Sequence, residues 1–339
     1  MENLLRPWVL ALLLAAGGAV WAWVRGLVVA EAILRRFRPE VRDEPQIQLE
    51  RQAELGARWV SFGAYASAAA FLVLVFGADH AAAEIRGAMC AHGVLASTRA
   101  GFAALALSLA VFAAGIVWTQ LHRLDLELRT PSLTRPKFVA LLALAPLSLA
   151  ALLLDVDFVR ELDFGVVATC CSSSADAGEA RVVTGASAAS VTLPLYLAPL
   201  GLAMLVSIVA AIRPARALAA VAGAASVGGV LAAIPALVHV VAPHVYETPS
   251  HRCLFCLLHF PEARFGLPIY ASMLFAFFAG SALLVRAADP RWPSSEAASP
   301  ASRLGKRAAI GLAAVLATML APVIRYAVVT GGASLFGGP

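Results

Sequence analysis

The sequence carries little charge for its length. Charged residues make up 14% of its 339 residues, whereas a soluble globular protein carries about 25%. Hydrophobic residues account for 60%, so the chain lacks the polar surface that a protein surrounded by water needs. This scarcity of charge excludes a soluble globular protein and indicates a membrane protein, whose first partner is the lipid bilayer.

Nucleotide-binding motifs are also missing. The sequence contains no P-loop and no dinucleotide-binding glycine fingerprint in the strand–turn–helix context that either motif needs. This argues against the ATP-hydrolysing part of a transporter. A proton or solute path would need several charged residues within the apolar runs, and the runs lack them. The net charge of +5 comes from basic loop residues and does not indicate a nucleic-acid partner.

Long apolar runs are what the sequence does have. About 20 apolar residues cross a hydrocarbon core of about 30 Å as a helix, and continuous runs favour helices over barrel strands, which alternate. We therefore predict an all-α fold: a polytopic transmembrane helical bundle of about eight spans, forming one integral membrane domain over residues 1–339. Residues 286–307, rich in Pro, Ser and Ala, predict a flexible cytoplasmic linker. The predicted spans are approximately 7–24, 59–78, 101–121, 138–154, 195–212, 217–242, 267–285 and 308–324.

Basic residues alternate in density from loop to loop. They are dense after spans one, three, five and seven and sparse in the other loops, and they accumulate on the cytoplasmic side of a membrane. This predicts a multi-pass protein of the bacterial inner (cytoplasmic) membrane with both termini facing outward. The first run could be a cleaved signal, but its leading segment MENLLRP has one Glu against one Arg. We therefore expect an uncleaved anchor.

Cysteine is absent from every predicted span and every predicted cytoplasmic loop. Each of the five cysteines follows an even-numbered span, and six of the seven histidines lie in outer segments or near outer span ends. The outer side of a bacterial inner membrane is oxidising, so thiols there pair or carry chemistry. The sequence therefore predicts an outward-facing Cys/His cluster built around Cys90, Cys170, Cys171, Cys253 and Cys256.

One function for this cluster is thiol–disulfide redox chemistry or electron transfer at the outer face. The C-x-x-C spacing of Cys253 and Cys256 lets two sulfurs close a small, reducible ring. A helix start close to this pair would stabilise a thiolate. The chain would then be a thiol–disulfide oxidoreductase, with Cys170 and Cys171 as further catalytic thiols and a thiol-carrying protein as its outer-face partner.

Two alternatives remain open at this point. Thiolate and imidazole groups suit copper, zinc and iron, so the chain could bind or handle a metal delivered by a metal-carrying protein. The third interpretation is a set of purely structural disulfides in a subunit of a larger complex or transporter; an odd cysteine count leaves at least one thiol over. The metal ligands in the second interpretation would include Cys90, His92, His251 and His259.

A resemblance to a known family bears on this choice. The stretch CLFCLLHFPEARFGLPIYASML, about 22 residues beginning at Cys253, resembles the C-x-x-C-bearing helix entry of quinone-linked disulfide-forming membrane proteins of the vitamin K epoxide reductase kind. In that group the pair lies at the outer end of a span beside bound quinone, and loop cysteines shuttle electrons to it. The resemblance implies that Cys253 and Cys256 are the quinone-proximal pair, with Cys170 and Cys171, or Cys90, as relay thiols. Quinone and a soft metal ion are thus the two candidate cofactors.

Overall fold

The residues that the structure describes form an all-α fold. The structure is a computed structural model and describes residues 2–38, 40, 43–128, 132–168, 186–292, 294–333 and 335. In this part of the chain there is no β-strand, and eight helices are long and apolar enough to cross a membrane, which confirms the predicted fold class. Those eight helical segments are Pro7–Arg36, Glu44–Glu84, Gly101–Glu127, Thr134–Glu161, Pro194–Ile212, Arg216–Tyr246, Ala263–Arg286 and Ala298–Val329.

The chain divides into two compact units, and the first is Met1–Thr169. In it, α1 contacts α2 and α6, and α4 also contacts α2 and α6, so four long helices form a closed ring. This neighbour order is that of a four-helix bundle whose successive helices run up and down. The helices of this unit are α1 (Pro7–Arg36), α2 (Glu44–Ala81), α3 (Ala91–Ala96), α4 (Gly101–Glu127), α5 (Thr134–Val139) and α6 (Leu141–Glu161).

The second unit is Cys170–Pro339 and repeats that neighbour order. Its helix α7 contacts α8, α8 contacts α10, α10 contacts α11, and α11 contacts α7. A π-helical turn, Leu237–Val241, separates α8 from α9. The helices of this unit are α7 (Ala186–Ile212), α8 (Arg216–Ala236), α9 (Ala242–Tyr246), α10 (Ala263–Arg286) and α11 (Ser295–Val329).

Small residues and paired polar groups hold the first bundle together. A Cβ atom on Gly115 would lie 3.2 Å from that of Ala64, so α4 and α2 approach closely, as small residues allow in membrane helices. The rings of Trp23 and Trp118 meet edge to face at 6.5 Å. The indole N–H of Trp23 donates a hydrogen bond to Ser67 Oγ at 3.3 Å, which satisfies the polar atom of this buried ring.

Several helices extend beyond the predicted spans. Helix α1 continues to Arg36 and α2 starts at Glu44, because hydrogen bonding along the helix does not stop where the apolar run stops. Helix α11 begins at Ser295, inside the stretch 286–307 for which composition predicted a flexible linker. That stretch contains many alanines, and alanine has the highest helix propensity.

Candidate thiol site

The C-x-x-C segment forms a tight turn between α9 and α10. Residues Phe255–Leu258 make one turn of 3-10 helix, and Cys253 lies just before it. The N–H of His259 donates to the carbonyl of Cys256 at 3.0 Å and closes the turn. The turn brings the sulfur atoms of Cys253 and Cys256 within 4.8 Å of each other. Both side chains are buried, with 1% and 6% of their surface exposed.

Helix α10 supports this turn through two contacts. The hydroxyl of Tyr270 donates a hydrogen bond to the carbonyl of Leu254 at 2.8 Å. Gly266 lies directly against the carbonyl of Leu257, where a Cβ atom would overlap the backbone. Glycine at this position lets the helix approach the turn closely. The geometry of the cysteine pair is therefore set by the packing of α10 against the turn.

The residues before the pair are held to α9 and α11. The ring of His251 stacks on that of Tyr246, with centroids 3.8 Å apart. Glu247 ends α9 in the left-handed backbone region, with φ of 55°, and its carboxylate pairs with Arg325 of α11 at 3.1 Å. These contacts fix the chain that leads into Cys253.

His251 is near the pair in sequence and lies in a partly buried environment. Burial lowers the pKa of His251, although the nearby Glu262 carboxylate opposes this shift, so the imidazole is neutral near neutral pH. Its Nε2 atom is buried and has no hydrogen-bond partner among the described residues. The group of ligand atoms within 4.8 Å of one another that contains Cys253 and Cys256 includes no histidine. Coordination by His251 or His259 therefore stays a prediction.

The first unit carries a further buried cysteine. Cys90 directly precedes α3 and has none of its surface exposed. The N–H of Ala91 donates to Asp79 Oδ1 at 3.0 Å, which ties this segment to the end of α2. The ring of His92 packs edge-on against Phe102, with centroids 5.2 Å apart, and burial lowers its pKa.

The described cysteines occupy equivalent places in the two units. Cys90 lies in the connection between α2 and α4, the second and third long helices of the first unit. The pair lies between α8 and α10, the second and third long helices of the second unit. The predicted catalytic residues Cys170 and Cys171 lie outside the described residues.

No α-helix starts at the cysteine pair itself. Helix α10 begins at Ala263, seven positions after Cys256. Cys256 belongs to the separate 3-10 turn, and Cys253 lies just before that turn. The N-terminus of α10 therefore does not account for a stabilised thiolate. The arrangement places the buried sulfur atoms of Cys253 and Cys256 close enough to bind one metal ion or to form a disulfide.

The fold indicates the class of protein. It is an all-α chain with eight helices in its described part that are long and apolar enough to cross a membrane, which suggests a multi-pass membrane protein. Comparisons with protein-family models, with characterised proteins and with solved structures give no match.

Proposed function

We propose that this membrane protein binds a soft metal ion, Cu(I) in preference to Zn²⁺, through the buried thiolates of Cys253 and Cys256. The observation that carries the proposal is the approach of the Cys253 and Cys256 sulfurs to within 4.8 Å inside a buried turn. Thiolate sulfur favours Cu(I) and also binds Zn²⁺. A pair of thiolates favours Cu(I), because structural zinc sites take four ligands.

Burial favours metal binding over exchange with protein thiols. A thiolate removed from water without a counter-charge is costly, and a bound metal cation supplies that charge as the thiol protons leave. Thiol–disulfide exchange requires an attacking thiolate to reach a sulfur atom. With exposed fractions of 1% and 6%, Cys253 and Cys256 offer little surface for such an attack.

The number of spans indicates the side of the membrane on which the pair lies. The pair follows the sixth candidate span, so an even number of crossings separates it from the N-terminus and the two lie on the same side of the membrane. The bias of basic residues makes that side the outer face of the inner membrane. The proposed source or recipient of the metal is a metal-carrying protein on that face.

Quinone-linked oxidation is the second candidate function. A disulfide has an S–S distance of about 2.05 Å, so sulfurs within 4.8 Å can pair after small side-chain rotations. Oxidation of the Cys253 and Cys256 thiols would form one S–S bond and release two protons and two electrons. A quinone would accept both and become a quinol. Cys170 and Cys171 would then relay electrons from an outer-face thiol protein.

The experiment loads the purified, reduced protein with Cu(I) or Zn²⁺ and measures bound metal against a competing chelator. We expect about one tightly bound ion per chain. Replacing Cys253 and Cys256 with Ser should abolish binding. The matched control is the Cys170→Ser/Cys171→Ser variant, which removes the two thiols that only the redox interpretation requires and should bind metal like the wild type.

The same variants distinguish metal binding from quinone-linked oxidation. If the wild type binds neither metal, and quinone oxidises the Cys253 and Cys256 thiols so that they resist alkylation, the metal proposal fails and the redox function replaces it. Retained metal binding in the Cys253→Ser/Cys256→Ser variant would also contradict the proposal. The melting temperature of each metal-free variant shows whether a loss of binding reflects a loss of folding.

A further inference from the structure

A small cavity with a few polar side chains lies inside the first unit. Residues from all four long helices line it, and most of them are alanine, valine or leucine. The polar members are Ser67 of α2, Ser108 of α4, and Ser148 and Asp155 of α6. The space suits about one water molecule or one small ion.

Asp155 brings an unsatisfied polar atom to this cavity. Its side chain is buried, with 1% of the residue exposed. One carboxyl oxygen, Oδ1, accepts a long hydrogen bond from Ser108 Oγ at 3.4 Å. The other, Oδ2, is buried and has no hydrogen-bond partner among the described residues. Buried polar atoms are otherwise nearly always paired, so this atom indicates a missing partner.

No positive group in the described lining balances a negative charge on Asp155. The lining contributed by α1, α2, α4 and α6 contains no lysine, arginine or histidine, and Asp155 is its one titratable residue. An ionised carboxylate held out of water without a partner is costly. Ionisable residues at membrane depth pair with a partner and often mark functional sites. The partner must therefore be a cation that is not part of this lining.

The surrounding hydroxyls fit a small hard cation. Ser67 Oγ donates to the carbonyl of Gly63 at 2.8 Å and accepts from Trp23 at 3.3 Å. Because its hydrogen bonds are already made within the bundle, we assign it to the cavity wall and not to the cation ligands. Ser148 is buried and faces the same space. Carboxylate and hydroxyl oxygens suit hard ions. A single carboxylate balances a single positive charge.

We propose that the first unit binds one small monovalent cation, a proton or Na⁺, at Asp155, with the hydroxyls of Ser108 and Ser148 completing the site. The cation neutralises Asp155 and occupies the position beside Oδ2. This site is independent of the metal proposed at the cysteines, because it uses oxygen ligands and lies wholly within the first unit.

The test compares Asp155→Asn with Asp157→Asn in the full-length protein. Asp157 is an exposed carboxylate two positions along α6 and serves as the matched control. The melting temperature is measured in NaCl and in choline chloride at equal ionic strength, at neutral and alkaline pH. Infrared spectra record the carbonyl band of a protonated carboxylic acid in each protein.

If Na⁺ is the ligand, NaCl raises the melting temperature of the wild type and of Asp157→Asn but not that of Asp155→Asn. If the proton is the ligand, the choice of salt has no effect. The wild type then shows a protonated-acid band that Asp155→Asn lacks, and it loses stability as the pH rises. A wild type with neither the salt effect nor that band overturns the proposal.

A second variant covers the case in which Asp155→Asn does not fold. Ser148→Ala keeps the carboxylate and removes only one oxygen that faces the cavity. For Na⁺, the concentration giving half of the stabilising effect should rise in this variant. For the proton, the acid band should shift in frequency because its hydrogen-bonding environment changes. An unchanged response in Ser148→Ala would contradict the assigned role of this hydroxyl.

Discussion

The hydroxyl of Tyr270 donates a hydrogen bond to the backbone carbonyl of Leu254 across 2.8 Å. Leu254 follows Cys253 directly, so this bond joins the membrane helix α10 to the turn that carries both sulfurs. The bond is partly buried, and a carbonyl left without a donor away from water is costly. The bond therefore links the stability of the second unit to the geometry of the thiol site.

Tyr270→Phe removes this donor and keeps the ring. We expect a loss of about 0.5–1.5 kcal/mol in the free energy of unfolding, the usual net contribution of one hydrogen bond, together with weaker metal binding. Chemical denaturation in detergent and chelator competition measure the two effects. Tyr65→Phe is the matched control, since Tyr65 is 67% exposed. Equal behaviour of the two variants would contradict the role of the Tyr270 hydroxyl.

Gly266→Ala tests the close approach of α10 to the turn. The added methyl group would overlap the carbonyl of Leu257, and overpacking of this kind costs about 1–3 kcal/mol. The controls are Gly201→Ala and Gly228→Ala, whose Cβ atoms would meet nothing within 4 Å. Alanine should stabilise these helices slightly. The prediction is wrong if Gly266→Ala unfolds at the same denaturant concentration as the controls.

The fold class could be read from the sequence because it depends on local properties. The length and continuity of an apolar run determine whether a helix can cross a membrane, and all eight predicted runs fall within candidate spans. The contacts that shape the thiol site could not be read in this way. Tyr270 and Leu254 are 16 positions apart, and their meeting depends on how the chain turns between them.

Asp155 shows a second limit of reading the sequence. The predicted fourth span ended at residue 154, which placed Asp155 outside the membrane, but α6 continues to Glu161 and buries it. Its burial depends on packing against three other helices, which local hydropathy does not record. One signal was present: Ser148, Ala151 and Asp155 are spaced at i, i+3 and i+7, so they share one helix face.

A buried ion pair provides a third test, on the first unit. Lys137 Nζ pairs with Asp125, and both side chains are 6% exposed; Thr134 also donates to Asp125 at 3.0 Å. Lys137→Met leaves the carboxylate buried without its cation and should cost about 3–5 kcal/mol. Arg58→Met removes one partner of the exposed Glu54–Arg58 pair and should cost about 0.3–0.5 kcal/mol. Similar losses in both variants would contradict the structural role of the buried pair.

The orientation of the chain is a fourth prediction. The excess of basic residues in alternate loops predicts that both termini and the cysteine-bearing segments face outward. A reporter active only outside the cytoplasm, fused after Pro339, should be active. A cytoplasm-active reporter at the same position should be silent. The converse pattern at Pro339, with the first reporter active when fused within the 123–137 loop, would show that the orientation is reversed.

The last prediction concerns pH and His251. Burial lowers the pKa of His251 below its ordinary value of 6.5, so the unfolded chain binds a proton more readily than the folded protein. As the pH falls through about 6.5, the unfolded chain gains protons first, and the free energy of unfolding decreases. The decrease is at most about 1.4 kcal/mol per pH unit for each such histidine. Above this range the stabilisation is fully present.

His251→Gln should flatten this pH dependence, and His92→Gln should flatten it further, since burial also lowers the pKa of His92. His80→Gln, at an exposed position, controls for the loss of a histidine as such. Denaturant titrations from neutral to mildly acidic pH, with a chelator present so that metal binding does not contribute, give the slopes. If the His92→Gln/His251→Gln variant keeps the wild-type slope, the acid sensitivity arises from other groups, and burial of these two imidazoles does not contribute to it.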